Sequence, residues 1–498
     1  MLFNSIDFII FFPIVVLLYF VIPKKMRYLW LLAASYYFYM GWNAKYALLL
    51  AFSTLITYLS GLLLDYINRK ELVEAKSVFY KKIVVASSVL INLGVLCFFK
   101  YVNFATHLLV NAFSQMGIIL DVPAFDVVLP VGISFFTFQA LSYTIDVYRG
   151  EIYAEHNVFR YALYVSFFPQ LVAGPIERSK NLIRQLATYT KFNFEKARDG
   201  LYLMLWGYFL KMVLADRIAV VVDTVYNNYE QYPGWFLIVA TVLFAFQIYC
   251  DFAGYSTIAI GAAEILGINL IENFDAPYTA TSVAGFWRRW HISLTSWFRD
   301  YLYIPLGGNR KGTVRKYLNR LIVFLASGLW HGAGLHFVAW GGINGLYQII
   351  GEILRPIRTR IIKILHLTPE SIGYKLYQAL LTFMLVDVSW IYFRASSMKD
   401  ANAILHSIIH AENPWILFDG SLYKLGLNDK NFRLMVICII VLIFVDVLKR
   451  FGICIRKIIA EQDYIIRWLV VTFAVFFILT YGMWGPGYNE SNFIYFQF

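Results

Sequence analysis

Apolar segments of about 16–25 residues recur along the whole chain, separated by short basic loops, and this repetition limits the possible folds more than any other feature. Inside hydrocarbon every backbone N–H and C=O must be satisfied by the chain itself, which leaves helices or closed barrels. The period-2 alternation of barrel strands is absent. The pattern predicts an all-α, polytopic membrane protein with about 11–14 apolar helices, some re-entrant or amphipathic, around a central funnel or tunnel. Composition agrees: 60% of the 498 residues are hydrophobic and 15% are charged, against about 25% charged in a soluble domain. We read residues 1–498 as one membrane-embedded domain. The net charge of +12 sits in the loops, where it sets orientation, and does not point to nucleic acid. The four cysteines, Cys97, Cys250, Cys438 and Cys454, form no CxxC pair, so neither a disulfide framework nor a metal site is expected.

Loop charges give a topology. Lys24, Lys25 and Arg27 follow the first apolar run, near Phe8 to Ile22, which lacks a basic lead and a small-residue cleavage site and reads as a retained helix. That loop belongs in the cytoplasm and residue 1 outside. Two apolar runs, near 28–42 and 45–64, return the chain to a loop carrying Arg69, Lys70, Lys76, Lys81 and Lys82. Basic stretches around 178–198, 310–320, 355–363 and 449–457 also fit the cytoplasmic side, with helices near 318–336, 337–355, 374–394, 432–449 and 465–484. The aromatic tail, 485–498, then lies outside. The segment 100–130 carries Asp121 and Asp126 instead of bases, and both of its placements stay open.

His331 lies within the apolar stretch Leu321–Trp340, beside Gly328, Gly332, Ala333 and Gly334. An ionisable group at bilayer depth is costly and usually faces a protein interior or wet cavity with a function. His291 lies in a basic, aromatic segment, Phe286-Trp-Arg-Arg-Trp-His-Ile-Ser-Leu294. The surrounding stretch, 267–317, is too polar for a simple span and is expected to be re-entrant from the cytoplasmic side. His331 is 13 residues past Leu318, about 20 Å along a helix. Two imidazoles at different depths suggest proton transfer within a membrane. A histidine-relay transporter or flippase would use them too, although no inverted repeat is evident. Asp251, Glu264 and Asp446 are expected to pair with arginine or tyrosine, and Asp387 with Arg394 two turns on. His336 reads as a packing residue.

These segments resemble signatures of a known family. Phe286–Leu294 continuing through Trp297-Phe-Arg-Asp-Tyr-Leu-Tyr-Ile-Pro-Leu-Gly-Gly308, together with Leu329-Trp-His-Gly332, is similar to the membrane-bound O-acyltransferase signatures. Leu129-Pro-Val-Gly-Ile-Ser-Phe-Phe-Thr-Phe138 and Leu171-Val-Ala-Gly-Pro-Ile176 fit as well, so the motif core spans roughly 100–350. The chain most resembles the bacterial branch of alginate and peptidoglycan O-acetyltransferase membrane subunits. The resemblance implies acyl transfer from a cytoplasmic thioester, with acetyl-CoA as donor substrate, to an exported polysaccharide through an extracytoplasmic SGNH-type acetyltransferase partner. It implies that His331 is catalytic and that His291 is a second functional histidine. D-alanyl transfer to teichoic acid from a carrier protein is the alternative within the family. The tail Phe493-Ile-Tyr-Phe-Gln-Phe498 resembles the aromatic motif of a small protein in that D-alanyl pathway, which makes Tyr495 the candidate acyl acceptor.

The chemistry needs a base, a polarised carbonyl and exclusion of water. A neutral imidazole at His331 suits the first task, because burial disfavours the charged ring. Trp330 and Asn344 are candidate N–H donors to the carbonyl. Arg288 and Arg289 suit donor phosphates, since guanidinium forks match phosphate oxygens. A helix carrying Trp287, Trp290, Leu294, Phe298 and Tyr301 on one side is expected to line the donor channel.

Overall fold

The computed structural model describes residues 1–70, 73–118, 129–485 and 493–494. All regular secondary structure among them is helical. Among the described residues six helices are long and apolar enough to cross a membrane: Ala44–Arg69, Glu74–Gln115, Trp235–Ile265, Ile372–Arg394, Asp429–Arg450 and Tyr464–Tyr481. The predicted early and late spans appear as Ile6–Val21, Arg27–Met40, Gly312–His331 and Leu335–Ile353. The chain is an all-α polytopic membrane protein. Its contacts divide into two compact units, 1–204 with 259–271, and 205–258 with 272–498.

In the first unit, capping and buried polar contacts set the helix ends and faces. Ser5 caps Ile6–Val21 by accepting the Phe8 N–H at 3.2 Å, which satisfies one of the first-turn donors that a helix leaves unpaired. Asn43 caps Ala44–Arg69 in the same way through Lys45. Side chains that a bilayer could not solvate pair across helices: Tyr161 Oη donates to Thr57 Oγ1 at 2.7 Å, and Ser53 Oγ to Asn92 Oδ1 at 2.6 Å. The 172–178 connection is tied down by Glu177, which is fully buried. It accepts the Ile271 N–H and an Asn181 amide N–H. Burial raises its carboxyl to about 7, partly offset by those donors.

The second unit contains both predicted histidines. Its tightest pairing is between Gly312–His331 and Leu335–Ile353, joined by the short break Gly332–Gly334. Glycines make this approach possible. A Cβ on Gly328 would meet the Phe337 carbonyl oxygen, and one on Gly341 the Phe324 carbonyl oxygen. In a membrane, where burial of apolar area drives helices together weakly, such backbone contact supplies much of the attraction. Gly341→Ala is expected to destabilise the protein by about 1–3 kcal/mol through overpacking. A fall of the thermal midpoint in detergent checks this, and an unchanged midpoint would show that the helices yield freely.

Candidate active site

The segment before His331 folds differently from the expected single amphipathic helix. Between 283 and 303 the chain forms three short pieces: Val283–Trp287, Ile292–Phe298 and a wide π-turn, Arg299–Tyr303. His291 separates the first two, with φ +44° and ψ +55°. A left-handed backbone at a non-glycine residue costs about 1–3 kcal/mol and persists where neighbours over-determine it. Asn273 does much of that here. Its carbonyl accepts the Ile292 N–H at 3.0 Å, its Oδ1 accepts from Ser293 Oγ at 2.6 Å, and its Nδ2 donates to Ser256 Oγ at 3.1 Å. On the other side the Arg289 carbonyl accepts the Asp275 N–H at 3.0 Å. The His291 ring is thereby held in one place.

That place adjoins His331. His291 lies edge-on to Phe252 at 4.6 Å and to Trp330 at 6.1 Å between centroids, and Trp330 touches His331 at 4.8 Å. One indole therefore separates the two imidazoles. His331, the last residue of its helix, is also flanked by Trp340 at 5.1 Å and Phe393 at 5.3 Å, both edge-on. The exposures are 1% for His291 and 5% for His331. Aromatic rings enclose both imidazoles, which keeps bulk water out. Burial pushes the His291 imidazole well below its usual pKa, so this ring is uncharged at neutral pH.

The donor residues sort differently from expectation. Asn344 is committed: its Oδ1 accepts Trp287 Nε1–H at 3.1 Å, and its Nδ2 donates to the Trp340 carbonyl at 2.9 Å. It ties Trp287 to Trp340 and so fixes the register of the site. Trp340 is the residue that sequence reasoning missed. It is 1% exposed and stacks on Trp390 at 5.7 Å, and its indole N–H has no hydrogen-bond partner among the described residues. A buried, unpaired donor costs about 1–3 kcal/mol, so one beside an imidazole marks a place where an acceptor belongs. The only sequence signal was its spacing, nine residues from His331 across a glycine break.

Trp290, expected to line the donor channel, is packed in the core. It is 2% exposed, stacked on Phe286 and packed against Phe274 and Trp390. Arg288 is exposed, whereas Arg289 is half-buried and within 3.4 Å of Thr279 Oγ1. Arg394 pairs with Asp223 at 2.6 Å instead of Asp387, correcting the expected i,i+7 pair. Asp446 accepts from Tyr249 at 3.0 Å, as expected of an acid in an apolar run. His336 bonds through Nδ1 with the Tyr392 carbonyl at 3.0 Å, the packing role read for it. Tyr495 lies outside the described residues, but its neighbours Phe493 and Ile494 are described and are 1% and 2% exposed.

The sequence profile of the membrane-bound O-acyltransferase family matches residues 3–393. A probable alginate O-acetylase of Pseudomonas aeruginosa is 35% identical over 407 residues, covering 80% of this chain and 73% of that protein. A peptidoglycan O-acetyltransferase of Helicobacter pylori is 30% identical, covering 82% of this chain and 80% of that protein. A teichoic acid D-alanyltransferase of Bacillus subtilis is 27% identical over 46% of this chain and 59% of that protein. With a match over most of its length and relatives at this identity, the chain belongs to the membrane-bound O-acyltransferase family and is a multi-pass membrane enzyme that transfers acyl groups to oxygen.

Proposed function

We propose that this protein moves an acetyl group from cytoplasmic acetyl-CoA across the membrane for O-acetylation of an exported cell-surface polysaccharide. Tyr495 is the first acceptor, and an extracytoplasmic SGNH-type transferase passes the group to the polymer. The observation that carries this reading is the buried His331 imidazole, walled by aromatic rings, with a Trp340 N–H beside it that has no hydrogen-bond partner among the described residues. The names of the alginate and peptidoglycan O-acetylating relatives support acetyl and polysaccharide over the other choices.

In the reaction, His331 takes the proton of the acceptor hydroxyl as its oxygen bonds to the thioester carbonyl carbon. The carbonyl oxygen becomes an oxyanion, and the Trp340 N–H is placed to donate to it. The C–S bond then breaks, the thiolate takes the proton from the imidazolium, and an ester and a free thiol result. His291 stands on the donor side, across Trp330. Arg288 and Arg289 hold the donor's phosphates at the cytoplasmic face. In this reading the chain leaves its last helix, Tyr464–Tyr481, on the extracytoplasmic side and returns to the site at Phe493, which packs on Phe252 beside His291, so the acylated tail connects the site with the partner.

The test is mass spectrometry of the 493–498 peptide after incubation of the purified protein with acetyl-CoA. We expect an acetyl adduct on Tyr495 that is absent from Tyr495→Phe and from His331→Asn. Normal polymer acetylation by Tyr495→Phe would remove the acyl-tyrosine step. An adduct formed only from a D-alanyl carrier would replace acetyl by D-alanyl.

A further inference from the structure

Deep in the second unit is an ionic cluster that acyl transfer as described leaves unused. Lys211 Nζ bonds to Asp251 Oδ1 at 2.6 Å and to Asp216 Oδ1 at 2.9 Å. The three residues are 1%, 2% and 6% exposed. Lys211 sits in a π-helical turn, Phe209–Ala215, a distortion that often marks a functional position in a helix. Buried charges of this kind stabilise a fold poorly compared with apolar packing, so their presence calls for a use.

The second oxygen of Asp251 shows what the use is. Asp251 Oδ2 accepts the backbone N–H of Ile494 at 2.7 Å. The preceding residue, Phe493, packs on Tyr255 at 4.8 Å and Phe252 at 6.4 Å, and the Lys211 ammonium lies 5.8 Å from its ring centroid. Phe252 is the residue that touches His291 at 4.6 Å. A chain therefore runs from the ionic cluster through the tail to the wall of the site: Lys211 to Asp251, Asp251 to Ile494, Phe493 to Phe252, and Phe252 to His291. Lys211 fixes the carboxylate, and a fixed carboxylate makes a strong, directional bond to a main-chain N–H.

We propose that Asp251 is a positioning residue for acyl transfer, capturing the Ile494 N–H and so holding Phe493 and Ile494 at the wall of His291. This rests on the reading of Tyr495 as the acyl acceptor. Asp251 acts on the position of the segment and has no contact with the acyl group. Because it reads a main-chain N–H, the docking tolerates a changed side chain at 494 and fails without the N–H.

The experiment compares Ile494→Pro, which deletes the donor and leaves the ionic cluster intact, with Ile494→Ala, which keeps the donor. Both full-length proteins are placed in nanodiscs. One arm reads resistance of the tail to carboxypeptidase, and the other reads the rate and acetyl-CoA KM of adduct formation on Tyr495. We expect Ile494→Pro to be trimmed and to form adduct about 10-fold more slowly with KM unchanged, as for a misplaced reactant. Ile494→Ala should match the unaltered protein in both arms. Asp251→Asn should fall between them. Equal trimming of Ile494→Pro, Ile494→Ala and the unaltered protein, or an undiminished rate in Ile494→Pro, overturns the proposal. A tail protected by the Ile494 N–H that never carries an adduct overturns the acyl-tyrosine reading and not the docking.

Discussion

Replacing His331 by asparagine should lower acyl transfer by about 10³-fold, within the range that positioned acid–base catalysis supplies. Asparagine retains a polar group of nearly the same reach but has no basic nitrogen, so the hydroxyl oxygen attacks without losing its proton. The effect should fall on kcat. In the proposed mechanism donor binding falls to Arg288 and Arg289, and the rings around position 331 stay in place. The His331 ring contacts Trp330, Trp340 and Phe393, so the substitution also loosens some packing. A thermal midpoint measured alongside separates the two effects, because a folded protein without activity assigns the loss to chemistry. A variant keeping more than a tenth of the activity would remove the imidazole from the base role.

The helical architecture was legible because hydrocarbon enforces it. An apolar run of sufficient length has few options, and Ile372–Arg394 and Asp429–Arg450 fall close to the expected bounds. His331 stood out for a related reason, since a titratable residue in such a run needs an explanation. The segment around His291 was misread because periodicity describes a helix only while the backbone continues, and a left-handed residue at 291 breaks it. Nothing local announces that break. It is stabilised by Asn273 and Ser256, far from His291 in sequence. The Asp387–Arg394 expectation failed similarly: two residues on one helix were matched, while the carboxylate that meets Arg394 comes from Asp223, on another helix. Lys211, Asp216, Asp251 and Ile494 span most of the second unit's length in sequence, and their meeting could be read only from coordinates. Asn344 and Trp340 are told apart for a simpler reason. Both carry N–H groups, and only the hydrogen bonds of the folded chain show that Asn344 is engaged while the Trp340 N–H has no partner among the described residues.

That count leads to the second large effect. Trp340→Phe should reduce kcat by about 10²-fold, the usual consequence of deleting one donor to a developing oxyanion. Phenylalanine retains a ring to stack on Trp390 and to face His331. What it lacks is the N–H. If that group were structural, its loss would destabilise the protein. Here it has no partner among the described residues, so its removal relieves an unsatisfied donor worth about 1–3 kcal/mol, against a similar penalty for the smaller ring's cavity. The two nearly cancel, and the thermal midpoint should move little. The donor KM should also stay close to its original value, because a thioester carbonyl accepts a weak hydrogen bond and an oxyanion a strong one, so the interaction belongs mainly to the transition state. A rate that falls while stability and KM hold is the signature of a group kept unpaired for the reaction. A fall in stability with the rate intact would return Trp340 to the core and leave the oxyanion without an assigned donor.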